Sequence, residues 1–145
     1  MNGKTNKWIL KAAKASKGTG ITIHDSYESI INVNVNKDLE GLVAMKYIEN
    51  PLTMKSHKMD MRVYVLVTDW DPLVIWAFEE CYLRIAPSDY DLNNSDQSAH
   101  LTALDEGLTL ASLQEFKDEL LPKYGPNVWE DKIYPRIKQV IRASM

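Results

Sequence analysis

A single cysteine, Cys81, stands in the 145 residues, so no internal disulfide can form and the chain fits a reducing compartment. Its neighbours Glu79 and Glu80 work against a low thiol pKa, which makes Cys81 a packed structural residue rather than a nucleophile. No apolar run reaches membrane-spanning length. WIL near the N-terminus is cut short by Lys11, and neither a signal peptide nor an anchor is read, so membrane insertion is not expected. Positive charge is not in excess either: a net charge of -3 argues against a dedicated nucleic-acid binder. No internal repeat, low-complexity tract or Pro/Gly-rich linker divides the chain. His24, His57 and His100 have no ligand-like spacing with each other or with Cys81, which speaks against zinc. Asp89, Asp91 and Asn93 imitate the opening of a calcium loop. Asn94 then replaces the required glycine and His100 the bidentate glutamate, so the segment reads as a turn cluster and not a metal site.

What is present is one domain's worth of ordinary globular composition, 45% hydrophobic and 26% charged, enough for a single core. Lys4, Lys7, Lys11, Lys14 and Lys17 crowd the first stretch while acids collect between Asp105 and Glu119, which leaves room for a local positive site for phosphate or an acidic peptide. The chain is organised around the stretch from Lys58 to Arg84. Two apolar, β-branched and aromatic runs, Val63 to Val67 and Leu73 to Phe78, flank the turn-forming TDWDP and predict a β-hairpin. Neither run alternates with polar residues, so both faces are expected to be covered. A turn centred near Trp70 would set Arg62 opposite Phe78 and Asp60 opposite Glu80. Lys58, Asp60 and Arg62 then share a face, with Glu80 and Arg84 beside them. Such a cluster is either a rim of solvated ion pairs or a ligand site, and spacing alone favours neither.

Upstream, Trp8 to Lys11 and Ile21 to Ile23 read as short strands around the small-residue loop AAKASKGTG. Its glycines permit backbone angles that aim successive N–H groups at an oxyanion, yet it is neither a Walker A motif nor a dinucleotide fingerprint. Alone it reads as a flexible hairpin loop with solvated lysines. Asp25 to Ile31 predicts one or two helical turns, NVNVNKD a polar loop, and Leu42 to Ile48 a strand ended by Pro51. After Arg84 the chain reads as irregular through APSDYDLNNSDQSAH. Leu110, Leu113, Phe116, Leu120 and Leu121 recur at helical spacing, with Pro122 to Pro126 as the stop. A last helix spans about Val128 to Ala143, with Pro135 either kinking it or starting its main segment. Both helices are expected to cover a sheet face.

The ordered series WILK, SKGTGI, KYIENPL, KMDMRVYVLVTDWDPLVIW, CYLR, HLT and WEDKIYPRIKQVI resembles the tubulin-tyrosine-ligase-like family, collinearly from Trp8 to Ser144. The resemblance implies an α+β, partial ATP-grasp fold: a mostly antiparallel sheet with a central hairpin and two C-terminal covering helices. It implies ATP-dependent ligation of a free amino acid to tubulin, or to its acidic C-terminal tails, through an acyl phosphate. TDWDPL, EECYLR and WEDKIYP look most like the glycylating branch, with glutamate or tyrosine as other donors. The setting implied is cytoplasmic, at the cytoskeleton or cilium. By resemblance, Lys11 reaches the nucleotide phosphates, and Ser16, Lys17, Gly18 and Gly20 form the loop over them. Lys46, Tyr47 and Ile48 line the adenine pocket. Lys58, Asp60 and Arg62 match the catalytic K-F-D-x-R element, and Arg84 and Thr102 face the anionic substrate.

Several positions depart from the family pattern: Ala12 for proline, Met45 for glutamine, Met59 for phenylalanine, and Ala103-Leu104 for an asparagine-containing continuation. The family's magnesium-binding acid and its E-I/V-N motif lie beyond the helix that ends here at Met145. Residues 1–145 are accordingly expected to be a fragment of one ATP-grasp domain, central lobe plus part of the C-terminal lobe, with the magnesium ligands elsewhere and no complete turnover alone. The alternative is a non-catalytic truncated module that binds nucleotide or microtubules.

Overall fold

A computed structural model describes residues 5–33, 41–94, 96–104 and 107–145. Lys4, Asp105 and most of the polar NVNVNKD loop lie outside them. The chain falls into two compact units, Met1–Met59 with Ile85–Thr109, and Asp60–Arg84 with Leu110–Met145. The architecture is α+β, and the pairings described below are antiparallel.

In the first unit β1 (Trp8–Ala12) lies between β2 (Thr22–His24) and β3 (Leu42–Lys46). Trp8 stands opposite both His24 and Lys46. β1 is the central strand, and its Ile9, Leu10 and Ala12 are buried. The short helix α1 (Tyr27–Ile31) starts where the Ser26 hydroxyl accepts from the Ser29 N–H at 3.2 Å. These elements match the strands and helical turn expected from the sequence. β4 (Thr53–Met54) pairs with the start of β5 (His57–Arg62).

β5 neighbours β8 (Tyr82–Asp89) in a sheet of order β4-β5-β8-β9, where β9 is Thr109–Ser112. The sheet order corrects two expectations. Arg62 does not face Phe78, because the Phe78 N–H bonds the Tyr64 carbonyl at 2.9 Å. Asp60 meets Arg84, not Glu80, which lies outside the strands. The stretch after Arg84 is also more regular than its polarity suggested, since β8 continues to Asp89 before the four-residue helix α2 (Gln97–His100). Its hydrogen bonds to sheet neighbours outweigh its poor strand propensity.

The second unit holds the hairpin, β6 (Val65–Trp70) and β7 (Leu73–Ala77), joined through a cis Asp71–Pro72 bond. The register runs from Val65 opposite Ala77 to Trp70 opposite Leu73, with a bulge between Val67 and Asp69. A hairpin forms as expected, but its first strand runs on through Thr68, Asp69 and Trp70 of the expected turn, and its expected burial is wrong. Leu66, Trp76 and Phe78 are 61%, 65% and 62% exposed. β6 and β7 form a two-stranded sheet of their own, and an unbroken apolar run does not by itself say what covers it. Ser112 and Glu115 form a capping box that opens α3 (Leu113–Tyr124). Leu110 belongs to β9 rather than to this helix, and Pro122 is accommodated before Gly125 closes it. Phe116 and Leu120 are its buried residues, and Phe116 meets Trp129 edge-on at 6.4 Å. A π-helical turn, Trp129–Ile133, leads into α4 (Tyr134–Ala143) with Pro135 in its first turn. α4 and β7 line a groove of about 480 Å³.

Candidate functional site

The loop after β1 takes the backbone form its glycines allow. Lys17, Gly18 and Gly20 have φ of +57°, +83° and +69°, left-handed values that turn the chain sharply between two antiparallel strands. The Ser16 carbonyl accepts from Thr19 N–H at 3.1 Å, and the Gly18 carbonyl from Ile21 N–H at 3.2 Å. A Cβ on Gly18 would sit 2.8 Å from Leu104 Cδ2 and 3.2 Å from Leu101 Cδ1. The loop therefore rests closely on the segment after α2, where Thr102 is half-buried.

Strand register separates the two lysines assigned to the nucleotide. Lys11 stands opposite Val43 and two residues from Ile9, which stands opposite Met45. Lys11, Val43 and Met45 thus share one face of the β2-β1-β3 sheet. Val43 and Met45 are 51% and 47% exposed, which makes an open apolar surface beside one exposed ammonium. Lys46 lies opposite Trp8 and projects from the other face. There its Nζ bonds the buried Glu49 carboxylate and the Lys7 carbonyl, the latter at 3.0 Å. Glu49 also accepts from the Thr5 and Lys7 N–H groups, both at 2.9 Å. The Lys46 ammonium, followed by these amides, holds its carboxyl down to about 2. The Lys46 ammonium thus pairs with the Glu49 carboxylate. Ile48, just past the strand, is exposed.

Tyr47 and Lys58 come together in the first unit. Lys58 Nζ donates to the Tyr47 phenol oxygen at 2.8 Å and lies 4.3 Å from its ring centroid. The same phenol is 2.8 Å from His100 Nδ1, and His100 Nε2 is 2.6 Å from the Asn94 carbonyl. Tyr90 meets His100 edge-on at 5.7 Å and donates its hydroxyl to the Glu49 carbonyl at 2.7 Å. Burial above all, with the Tyr90 phenol adding, raises the Tyr47 hydroxyl pKa well above its ordinary value. Glu49, Tyr90 and His100 were not among the site residues read from the sequence. Glu49 and His100 do lie inside the YIENP and HLT segments, but nothing local shows that they support Tyr47.

Asp60, Arg62 and Arg84 belong to the second unit. Arg84 grips Asp60 with two parallel bonds, Nε to Oδ1 at 2.9 Å and Nη2 to Oδ2 at 2.6 Å. The carboxylate raises the guanidinium pKa further, against partial burial. Arg62 is exposed at the end of β5. Cys81 is half-buried with its thiol pKa raised by burial, as a structural cysteine requires. Asp91 and Asn94 cap turns through the N–H groups of Asn93 and Asp96, both at 2.9 Å. Among the described residues no group of three or more His, Cys, Asp or Glu side chains could hold a metal ion.

Antiparallel sheets, a glycine loop between two strands, an open apolar face with one lysine and C-terminal helices are the parts of a partial ATP-grasp domain. The tubulin-tyrosine ligase family model matches residues 1–105. Tubulin glycylase 3C of Tetrahymena thermophila is 37% identical over 100% of this chain and 15% of its own length. Tubulin monoglycylase TTLL3 of Homo sapiens is 33% identical over 97% of the chain and 21% of its own length. Protein monoglycylase TTLL8 of Homo sapiens is 32% identical over 100% and 19%. The chain belongs to the tubulin-tyrosine ligase family, and it spans between 15 and 21% of the length of these relatives.

Proposed function

We propose that this chain is part of an ATP-dependent ligase that adds an amino acid, glycine first among the candidates, to tubulin at the cytoskeleton. Residues 1–145 belong to one ATP-grasp domain, the first unit to its central lobe and the second to its C-terminal lobe. The observation that carries the reading is the open Lys11, Val43 and Met45 face beside a loop with three left-handed residues. An apolar strip suits a nucleobase and ribose, while an ammonium beside a tightly turned glycine loop suits phosphate oxygens. ATP would supply the phosphoryl group that converts an acceptor carboxylate into an acyl phosphate, which the amine of the incoming amino acid displaces as phosphate. Lys11 and the 16–20 loop would hold the phosphates, and the backbone at Lys46 to Ile48 would border the base. Lys58 would neutralise charge developing on the transferred group. Arg84, kept in plane by Asp60, and Arg62 would meet the anionic acceptor. The described carboxylates do not form a magnesium cage, and no step is assigned to that ion. The glycylase names of the relatives favour glycine.

Two measurements test the reading. Calorimetric titration of the chain with ATP should give saturable binding that weakens about tenfold in Lys11→Ala, the scale of one lost charge-assisted hydrogen bond. Absence of binding, or binding indifferent to Lys11, overturns the nucleotide site. Substituting this segment for the matching residues of tubulin monoglycylase TTLL3 should yield a chimera that ligates glycine in preference to glutamate and tyrosine. That activity should be abolished by Lys58→Ala or Arg62→Ala, with the fold intact. Unchanged turnover in both variants returns these residues to the surface ion pairs.

A further inference from the structure

Among the polar groups of the first unit, a buried chain of hydrogen bonds links the Asn94 carbonyl, His100, the Tyr47 hydroxyl and the Lys58 ammonium. The Asn94 carbonyl can only accept, so His100 carries its hydrogen on Nε2 and donates across 2.6 Å. In the neutral imidazole Nδ1 is then an acceptor, and the Tyr47 hydroxyl, 2.8 Å away, donates to it. With that hydrogen committed, the phenol oxygen turns its lone pairs outward, and Lys58 Nζ donates to one of them at 2.8 Å. Tyr47 and His100 are each 2% exposed, so water does not readily replace either partner. Edge-on contacts of the imidazole with Tyr47 at 5.6 Å and Tyr90 at 5.7 Å fix its plane.

We propose that His100 is a positioning residue for Lys58, acting through the Tyr47 hydroxyl to hold the ammonium in place for the reacting phosphate or carboxylate. The inference rests on Lys58 acting in the ligase site. Its geometry is specific: Lys58 lies 42 positions before His100 and reaches it only through the phenol oxygen on β3's C-terminal side. Removing the imidazole takes away the acceptor of the Tyr47 hydroxyl, so the phenol oxygen no longer presents fixed lone pairs to the ammonium, while the ring beneath it remains.

The test reads the Lys58 ammonium directly in the 145-residue chain, by nitrogen-15 NMR of lysine side chains, with Lys46 as the internal control. Lys46 bonds Glu49 and the Lys7 carbonyl in the same unit, so general loosening would move both signals. In His100→Phe, which keeps a ring and removes both hydrogen bonds, exchange of the Lys58 ammonium protons should accelerate about tenfold, and Lys46 should not respond. Tyr47→Phe should do the same, and the double variant should add nothing further. His100→Asn, which returns an amide oxygen near the Nδ1 position, should restore slow exchange. It also keeps the experiment decisive if His100→Phe does not fold. A Lys58 signal that ignores His100, moves in step with Lys46, or responds additively in the double variant overturns the proposal. The outcome is separate from the nucleotide titration and the chimera, whose failure would remove the ligase role of Lys58 while the His100–Tyr47–Lys58 linkage still registered in the spectrum.

Discussion

Gly18→Ala joins the fold to the loop proposed to cover the phosphates. At φ +83° an alanine costs about 1–2 kcal/mol in backbone strain. Its Cβ would also meet Leu104 Cδ2 at 2.8 Å and Leu101 Cδ1 at 3.2 Å. The nearer atom is a terminal methyl that can swing aside, so the steric part sits at the lower end of the roughly 1–3 kcal/mol typical of overpacking. Against this stands a gain of about 0.4–1 kcal/mol from a stiffer unfolded chain. The net expectation is a loss of roughly 1–2 kcal/mol, measured by urea unfolding followed by circular dichroism. Gly41→Ala provides the comparison: its φ is +110° but among the described residues no atom lies within 4 Å of an added Cβ, so it tests backbone strain without the clash. The steric share is isolated by adding Leu104→Ala. The double variant should be more stable than the sum of the single losses predicts, by about 1 kcal/mol. Zero coupling, or a Gly18→Ala chain as stable as the parent, refutes the argument that this loop is packed down on residues 101 and 104.

Phe116→Ala should cost about 3–5 kcal/mol, because the side chain is 1% exposed and packs edge-on against Trp129; a loss below about 1 kcal/mol in urea unfolding would refute its place in the second unit's core. Glu49 has a folded pKa of about 2 against an ordinary 4.5, so its stabilising contribution is complete above the unfolded value and is lost as pH falls from there toward 2. Glu49→Gln should remove that part of the acid dependence, and a parallel acid-unfolding curve for the variant would contradict the assignment. Arg84→Lys gives up the two-point grip on a partly exposed Asp60, so stability should fall by no more than about 1 kcal/mol while ligation by the chimera drops at least tenfold. Full ligation in that variant would leave the planar guanidinium without a role.

Local chemistry was enough to make several elements legible: the strands around the glycine loop, the helical turns between Asp25 and Ile31, a hairpin between Val63 and Phe78, and two C-terminal helices, the first of which starts at Leu113 and not at Leu110. Each depends on neighbours a few residues apart, where propensity, turn residues and caps act. The family resemblance was legible for a different reason, since an ordered series of segments survives even where single residues change, as at Met45 and Ala103. Strand parity also correctly grouped Arg84 with Asp60, although the partner strand was β8 rather than the hairpin's second run.

What the amino-acid order determined by itself is thus part of the set of elements, without β4, β9, α2 and the regular course of β8 past Arg84, together with the family. The tertiary structure decided which strands became neighbours, and with them every long-range contact. Asp60 and Arg84 are 24 residues apart and Tyr47 and His100 are 53 apart, so no local pattern encodes their meeting. It also set Lys11 and Lys46 on opposite faces of one sheet, because register depends on the pairing partner. Exposure of the hairpin follows from the same cause: apolar residues specify that a strand forms, whereas the neighbours it receives specify how much of it water touches.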